Sequence, residues 1–192
     1  GGMAGIVYEG TIQNCYNGGA ISGVGGDVGG MAGKVNGAII QSCVNNGPVS
    51  GGANNIGGLA GSLDGATIRN CINYADISVH ESAIAINVAG VAGYVQGRSL
   101  VTNCLTTGDV SGTVAGEVMR GGISSVVGMI DDENQDEFSP VSFCVALGQF
   151  VKKSGGCGNV SRLAYRDDIS YERKTYLNYA WTDMEVYWDD DD

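Results

Sequence analysis

Three positions in this chain are apolar each time a unit recurs. The first set is Met3, Met31, Leu59, Val91 and Val126, and the second, four residues on, is Val7, Val35, Leu63, Val95 and Ile130. The third, six residues after a recurring cysteine, is Ile21, Val49, Ile77, Val110 and Phe150. The position just before the second set holds Ile6, Lys34, Ser62, Tyr94 and Met129, so it tolerates charge and is expected to face solvent. Alternation of this kind has period two, the period of a strand. Glycine stands between the two inward positions, at Gly5, Gly33, Gly61, Gly93 and Gly128. A position without a side chain suits a narrow interior where chain passes close to chain. Glycine this frequent would cost a helix about 1 kcal/mol per residue against Ala.

The units are repeats. GG-[ML]-A-G occurs at Gly1–Gly5, Gly29–Gly33 and Gly57–Gly61, with a variant at Ala89–Gly93. Cys15, Cys43, Cys71, Cys104 and Cys144 follow at spacings of 28, 28, 33 and 40. Periods of this size mark a solenoid. The expected fold is all-β: a parallel β-solenoid, right-handed, of about six coils, each with three short strands. With coils about 4.8 Å apart, six make a rod roughly 30 Å long. Asn36-Gly37 and Asp64-Gly65 supply turns. Extra length falls near Val79–Asn87 and at Asp131–Phe138.

The final unit is degenerate. Asn159 to Ala164 aligns with Asn55 to Ala60, Tyr165 takes a core glycine's place, and Asn178-Tyr179 aligns with Asn70-Cys71. Repeats are expected over 1–164, a last coil and aromatic cap over 165–188, and an acidic tail over 189–192. In this expectation Tyr179 and Trp181 pack on the last coil's inward residues and close the core end.

Composition sharpens this division. Of 33 glycines, 29 lie in residues 1–130, whereas 10 of the 14 aromatic residues lie beyond. The formal charge of −11 argues against nucleic acid or an anionic membrane as partner. No run approaches 18 consecutive apolar residues, so direct membrane insertion is not expected. The chain opens inside a repeat without a signal peptide, which suggests a mature or excised fragment.

Candidate chemistry is sparse. Thiolate metal sites usually bring two or more cysteines together as C-x2–4-C pairs. Here there is one cysteine per coil, and His80 is the single histidine, so no metal, cofactor or catalytic residue is expected. Parallel Cβ atoms about 4.8 Å apart exceed the usual disulfide range of about 3.5–4.5 Å. The five cysteines therefore read as an inward ladder of free thiols, each a small hydrophobe. Cys157 pairs with Cys144 or stays free. Asn14, Asn70 and Asn103, with Ser42, precede the ladder and suggest a stacked corner, since Asn tolerates left-handed backbone. Asp131, Asp132, Glu133, Asp136 and Glu137 crowd one loop, a possible binding loop without the spacing of a calcium site. No paired carboxylates or Ser-His-Asp set emerge, and His80 has no evident partner.

The recurring GG-[ML]-A-G, G-x-I-x-N-C-x-N and G-x-[VI]-S-G resemble the GLUG-motif repeats of bacterial surface proteins, over nearly the whole chain. The resemblance implies an exported module, extracellular or at the bacterial cell surface, usually beside other domains on the same chain. Such repeats occur in adhesin-like proteins and beside peptidase domains. The expectation is thus a non-catalytic adhesin-like binding or spacer segment, its partner a host or cell-surface protein or glycan. The alternative is an accessory domain of an extracellular peptidase or carbohydrate-active enzyme. The motif carries no catalytic residue to transfer.

Overall fold

A computed structural model of the chain describes residues 1–52, 54–80, 87–113, 122–131, 141–154, 159–162, 164–166, 178–180 and 184–189. Every element among them is a strand of two to five residues, and every pairing is parallel. The period-two pattern, the Asn-Gly and Asp-Gly turns and the scarcity of proline all act in one direction. The chain turns before any strand lengthens, and each strand finds its partner one coil away.

Five sheets run along the solenoid. Sheet I holds Asp27–Gly29, Asn55–Gly57, Asn87–Ala89, Gly122–Ser124 and Asn159–Ser161. Sheet II holds Ala4–Tyr8, Ala32–Asn36, Ala60–Asp64, Ala92–Gln96, Val127–Asp131 and Ala164–Arg166. Sheet III holds Thr11–Gln13, Ile39–Gln41, Thr67–Arg69, Leu100–Thr102 and Val141–Ser142. Sheet IV holds Tyr16–Asn17, Val44–Asn45, Ile72–Asn73, Leu105–Thr106, Val145–Ala146 and Tyr179–Ala180. Sheet V holds Ile21–Gly23, Val49–Gly51, Ile77–Val79, Val110–Thr113, Phe150–Ser154 and Glu185–Asp189.

The parallel β-solenoid is therefore as expected, but each coil has five strands rather than three. Among the described residues, four coils are complete in all five sheets, and a coil with four described strands flanks them at each end. Two strands per coil escape the alternation pattern. Val44–Asn45 and its equivalents are too short to show it, and the Asn-Ile-Gly step of sheet I carries one inward apolar residue. That residue forms a further core row, Val28, Ile56, Val88 and Ile123, each at most 4% exposed.

The first two apolar sets face inward as expected from the second coil on, whereas in the first coil Met3 is exposed and Val7 only half-buried. Met31, Leu59, Val91 and Val126 are fully buried, as are Val35 and Leu63. Each such side chain contributes about 1.5–3 kcal/mol of burial. The third set needs one correction. Val110 pairs with Val151, which is buried, so Val151 and not Phe150 continues the row. The position expected to face solvent is only partly so. Ser62 and Met129 are buried there, while Ile6 is exposed in the first coil.

The inter-sheet spacing is set by glycine. A Cβ on Gly61 would lie 2.5 Å from the Val28 nitrogen and 2.7 Å from the Gly33 oxygen. Sheets I and II thus meet backbone to backbone, without room for a methyl group. In the last coil Tyr165 occupies the place after Ala164 that Gly128 occupies after Val127. The register shifts there, with Val127 opposite Ala164 but Ile130 opposite Arg166.

Insertions fall between sheets. The 33-residue interval gains four residues before Asn87, where pairing with Asn55 spans 32 positions. It gains one more at the turn before Leu100, which pairs with Thr67 33 positions back. Ser99 in that turn is buried, and its hydroxyl accepts the Ala66 N–H at 3.0 Å.

Candidate functional site

Sheet IV carries the conspicuous features of both faces of the wall. Its strands begin one residue after each ladder cysteine, and the residue before each cysteine turns the corner from sheet III. That corner is left-handed in every described coil: Asn14, Ser42, Asn70, Asn103 and Phe143 have φ between 52° and 54°. The stacked-corner reading of the asparagines holds, and Asn103 donates its amide to Asn70 Oδ1 at 2.7 Å.

Inside the corner stand the thiols. Cys43, Cys71, Cys104 and Cys144 are buried, Cys15 is half-buried in the first coil, and all five are free. Each Sγ lies 3.1–3.3 Å from the carbonyl oxygen two residues earlier, that of Gln13, Gln41, Arg69, Thr102 or Ser142. Burial pushes the Cys43 thiol up to about 11. Contact with the Cys144 and Cys71 thiols, and burial, hold Cys104 well above the ordinary value. Contact with the Cys104 thiol lowers both Cys71 and Cys144. A thiolate at one rung is thus stabilised by the S–H of the next. Cys157 lies outside the described residues.

Beside the thiols runs a buried amide row. Asn17 donates to Asn45 Oδ1 at 2.7 Å, and Asn45 to Asn73 Oδ1 at 2.8 Å. Each also bonds the carbonyl two residues on, at Gly19 and Gly47, as Asn73 does at Ala75. The row then shrinks to Thr106, Ala146 and Ala180. The facing corner grows in step. Gly30 and Gly58 abut Asn45 and Asn73, where a Cβ would come within 2.5 Å of the amide carbon. The corresponding residues in the last two coils are Ser125 and Arg162. These amides hold coils in register and have no exposed chemistry.

The outer face of sheet IV is different. Tyr16, Val44, Ile72, Leu105, Val145 and Tyr179 follow one another in register, one per coil, at outward positions. Tyr16, Tyr74, Phe143, Leu147 and Tyr179 make up five of the nine exposed large hydrophobic side chains among the described residues, and all lie on this side. An open depression of about 350 Å³ lies along it. Its walls are the corner residues Asn70, Asn103 and Phe143 and the outward Ile72, Leu105 and Val145, with Cys71 and Cys104 behind. None of these side chains carries a charge at neutral pH, on a protein of formal charge −11. The surface offers apolar contact, aromatic faces and corner amides.

The expected binding loop is only partly in view. Asp131 ends a sheet II strand, half-buried, and accepts a hydrogen bond from the Tyr94 hydroxyl of the preceding coil. Asp132, Glu133, Asp136 and Glu137 lie outside the described residues. His80 has a partner after all: its Nε2 lies 3.3 Å from the Ser22 hydroxyl, across two coils. No carboxylate completes that pair into a relay among the described contacts. No three His, Cys, Asp or Glu side chains converge as a metal chelate among the described residues.

The C-terminal expectation for Tyr179 is overturned. Asn178 occupies the ladder-cysteine place, its Oδ1 accepting the Cys144 N–H at 2.7 Å. Tyr179 therefore stands opposite Val145, points outward and is 66% exposed. The alignment on Asn-Cys is off by one because the Asn itself moves into the wall. Among the described residues of this end Met184 is buried; its sulfur lies 3.2 Å from the Ser125 hydroxyl and its carbonyl accepts from the Arg162 guanidinium. Trp181 lies outside the described residues.

The outward row was the signal missed in the sequence. The residue after each cysteine is Tyr, Val, Ile, Leu or Val, as regular as the inward sets. Against family models, curated proteins and solved structures, the chain finds no match.

Proposed function

We propose that this chain is a non-enzymatic exported module that binds a cell-surface partner through the outer face of sheet IV. The observation that carries the reading is the in-register row from Tyr16 to Tyr179 with its uncharged depression. A contiguous apolar surface rimmed by polar groups is a mark of an interaction site. Aromatic side chains present large, rigid contact area at low entropic cost. The repeat likeness to bacterial surface proteins supports the exported setting and an adhesin-like role. No helix among the described residues is long and apolar enough to cross a membrane.

Beads coated with the protein are expected to adhere to cultured epithelial cells. Replacing the outward Ile72 and Leu105 together by Lys leaves the inward residues untouched and charges the depression. The double variant should keep its melting temperature within a few degrees and lose adhesion at least tenfold. Equal adhesion of both proteins, or none by either, would contradict the proposal.

A further inference from the structure

We propose that two copies of this chain pair face to face on sheet IV, antiparallel, about a two-fold axis that passes between Ile72 and Leu105. The argument begins with the order of the outward row. From the first coil to the last it is Tyr16, Val44, Ile72, Leu105, Val145 and Tyr179. Read backward it is the same series, with only the isomers Ile and Leu exchanged. Neighbouring rungs are one coil apart, about 4.8 Å. A two-fold axis lying in the face along the strand direction reverses the order of the coils. It sets Tyr16 against Tyr179 of the second copy, Val44 against Val145 and Ile72 against Leu105, and each contact occurs twice. A two-fold interface requires this self-complementarity, because the same patch serves both partners.

The columns on either side of the row favour the same orientation. The axis keeps each column opposite itself. In the corner column, exposed Phe143 then meets Ser42 of the second copy. In the column after the row, exposed Tyr74 meets Thr107, and exposed Leu147 meets Asn46. In all three the larger side chain falls opposite a smaller one, so the faces close without collision. Parallel pairing, coil against like coil, exchanges the flanking columns and sets Phe143 against Leu147. Charge selects the occupant. A formal charge of −11 holds copies apart over the rest of the surface. Among the described residues these three columns hold no charged side chain. A second copy brings the same uncharged face, and the cores of interfaces are depleted in charge and enriched in aromatic residues. The row spans about 24 Å from Tyr16 to Tyr179. A patch of this extent belongs with the small specific interfaces, below about 1,200 Å² in total, so pairing should depend on concentration. The inference rests on the reading of sheet IV as the contact face, and pairing competes there with a cell-surface partner.

The test is complementation of charge, with mass in solution read by sedimentation under reducing conditions and without cells. The natural protein should pass from monomer to dimer as its concentration rises. Val44→Lys and Val145→Glu should each weaken the dimer about tenfold or more, because each buries an unpaired charge in an apolar contact. Mixed in equal amounts, they set Lys against Glu at one site and keep the natural valine pair at the other. The mixture should recover a dimer of nearly natural affinity, which also shows that both variants fold. If either does not fold, Tyr16→Lys with Tyr179→Glu makes the same test at the ends of the row. A natural protein that stays monomeric, a dimer that neither variant weakens, or a mixture that pairs no better than its components would overturn the proposal. Monomers that adhere to cells would overturn pairing and leave the adhesion reading standing; dimers whose separated copies do not adhere would do the reverse.

Discussion

At the scale of single residues, identity follows the wall that a position faces. Asn70 and Asn73 are three apart in one coil and do different work. Asn70 supplies left-handed backbone at an exposed corner, while Asn73 is fully buried and bonds Ala75 and its neighbours along the row. The corner was legible because asparagine tolerates positive φ. The buried row was not, because burying an amide is favourable only if its partners are present, and those partners lie 28 residues away. Cys43 gives this scale its prediction. Its folded value, about 11, lies above the ordinary 9.0 because burial disfavours the thiolate. A raised value means the protonated thiol stabilises the fold fully below pH 9 and progressively less as pH rises through 11. The melting-temperature advantage of the natural protein over Cys43→Ala should therefore shrink between pH 9 and 11. An advantage independent of pH would show that Cys43 is not held in its protonated form.

At the scale of the strand, what was legible depends on length. Five-residue strands such as Ala32–Asn36 and Ala60–Asp64 show full alternation, and both inward rows of sheet II follow from it. Two-residue strands show none, so sheet IV emerges only when coils are stacked. The same limit explains the slips at Phe150 and Tyr179. Sequence spacing counts residues, but the last interval gains and loses residues at turns, and backbone pairing alone restores the count. Glycine gives the prediction at this scale. Gly61→Ala puts a methyl group against backbone atoms of two other strands, at 2.5 Å and 2.7 Å. Backbone cannot rotate away as a side chain can, so the cost should reach or exceed the roughly 1–3 kcal/mol of ordinary overpacking. Gly5→Ala is its control, with nothing within 4 Å of the added atom. Denaturant midpoints should fall for the first and stay unchanged for the second. Equal midpoints would contradict the packing of sheet I on sheet II.

At the scale of the whole molecule, one geometric rule produces every row: successive coils stand in register whatever length of chain joins them. It aligns the thiols inside the wall and the apolar side chains outside it, so the buried ladder and the proposed binding face are two sides of one repeat. The outward row tests the rule directly. Tyr16, Val44, Ile72, Leu105, Val145 and Tyr179 are separated by 28, 28, 33, 40 and 34 residues in sequence but by one coil each in space. Spin labels carried on unnatural amino acids can be placed in pairs at Tyr179 and at Tyr16, Val44 or Ile72, and their separations read by pulsed electron resonance. In-register stacking predicts backbone separations of about 24, 19 and 14 Å, equal steps of about 4.8 Å. Separations that grow with the intervening number of residues, or unequal steps between coils, would contradict it.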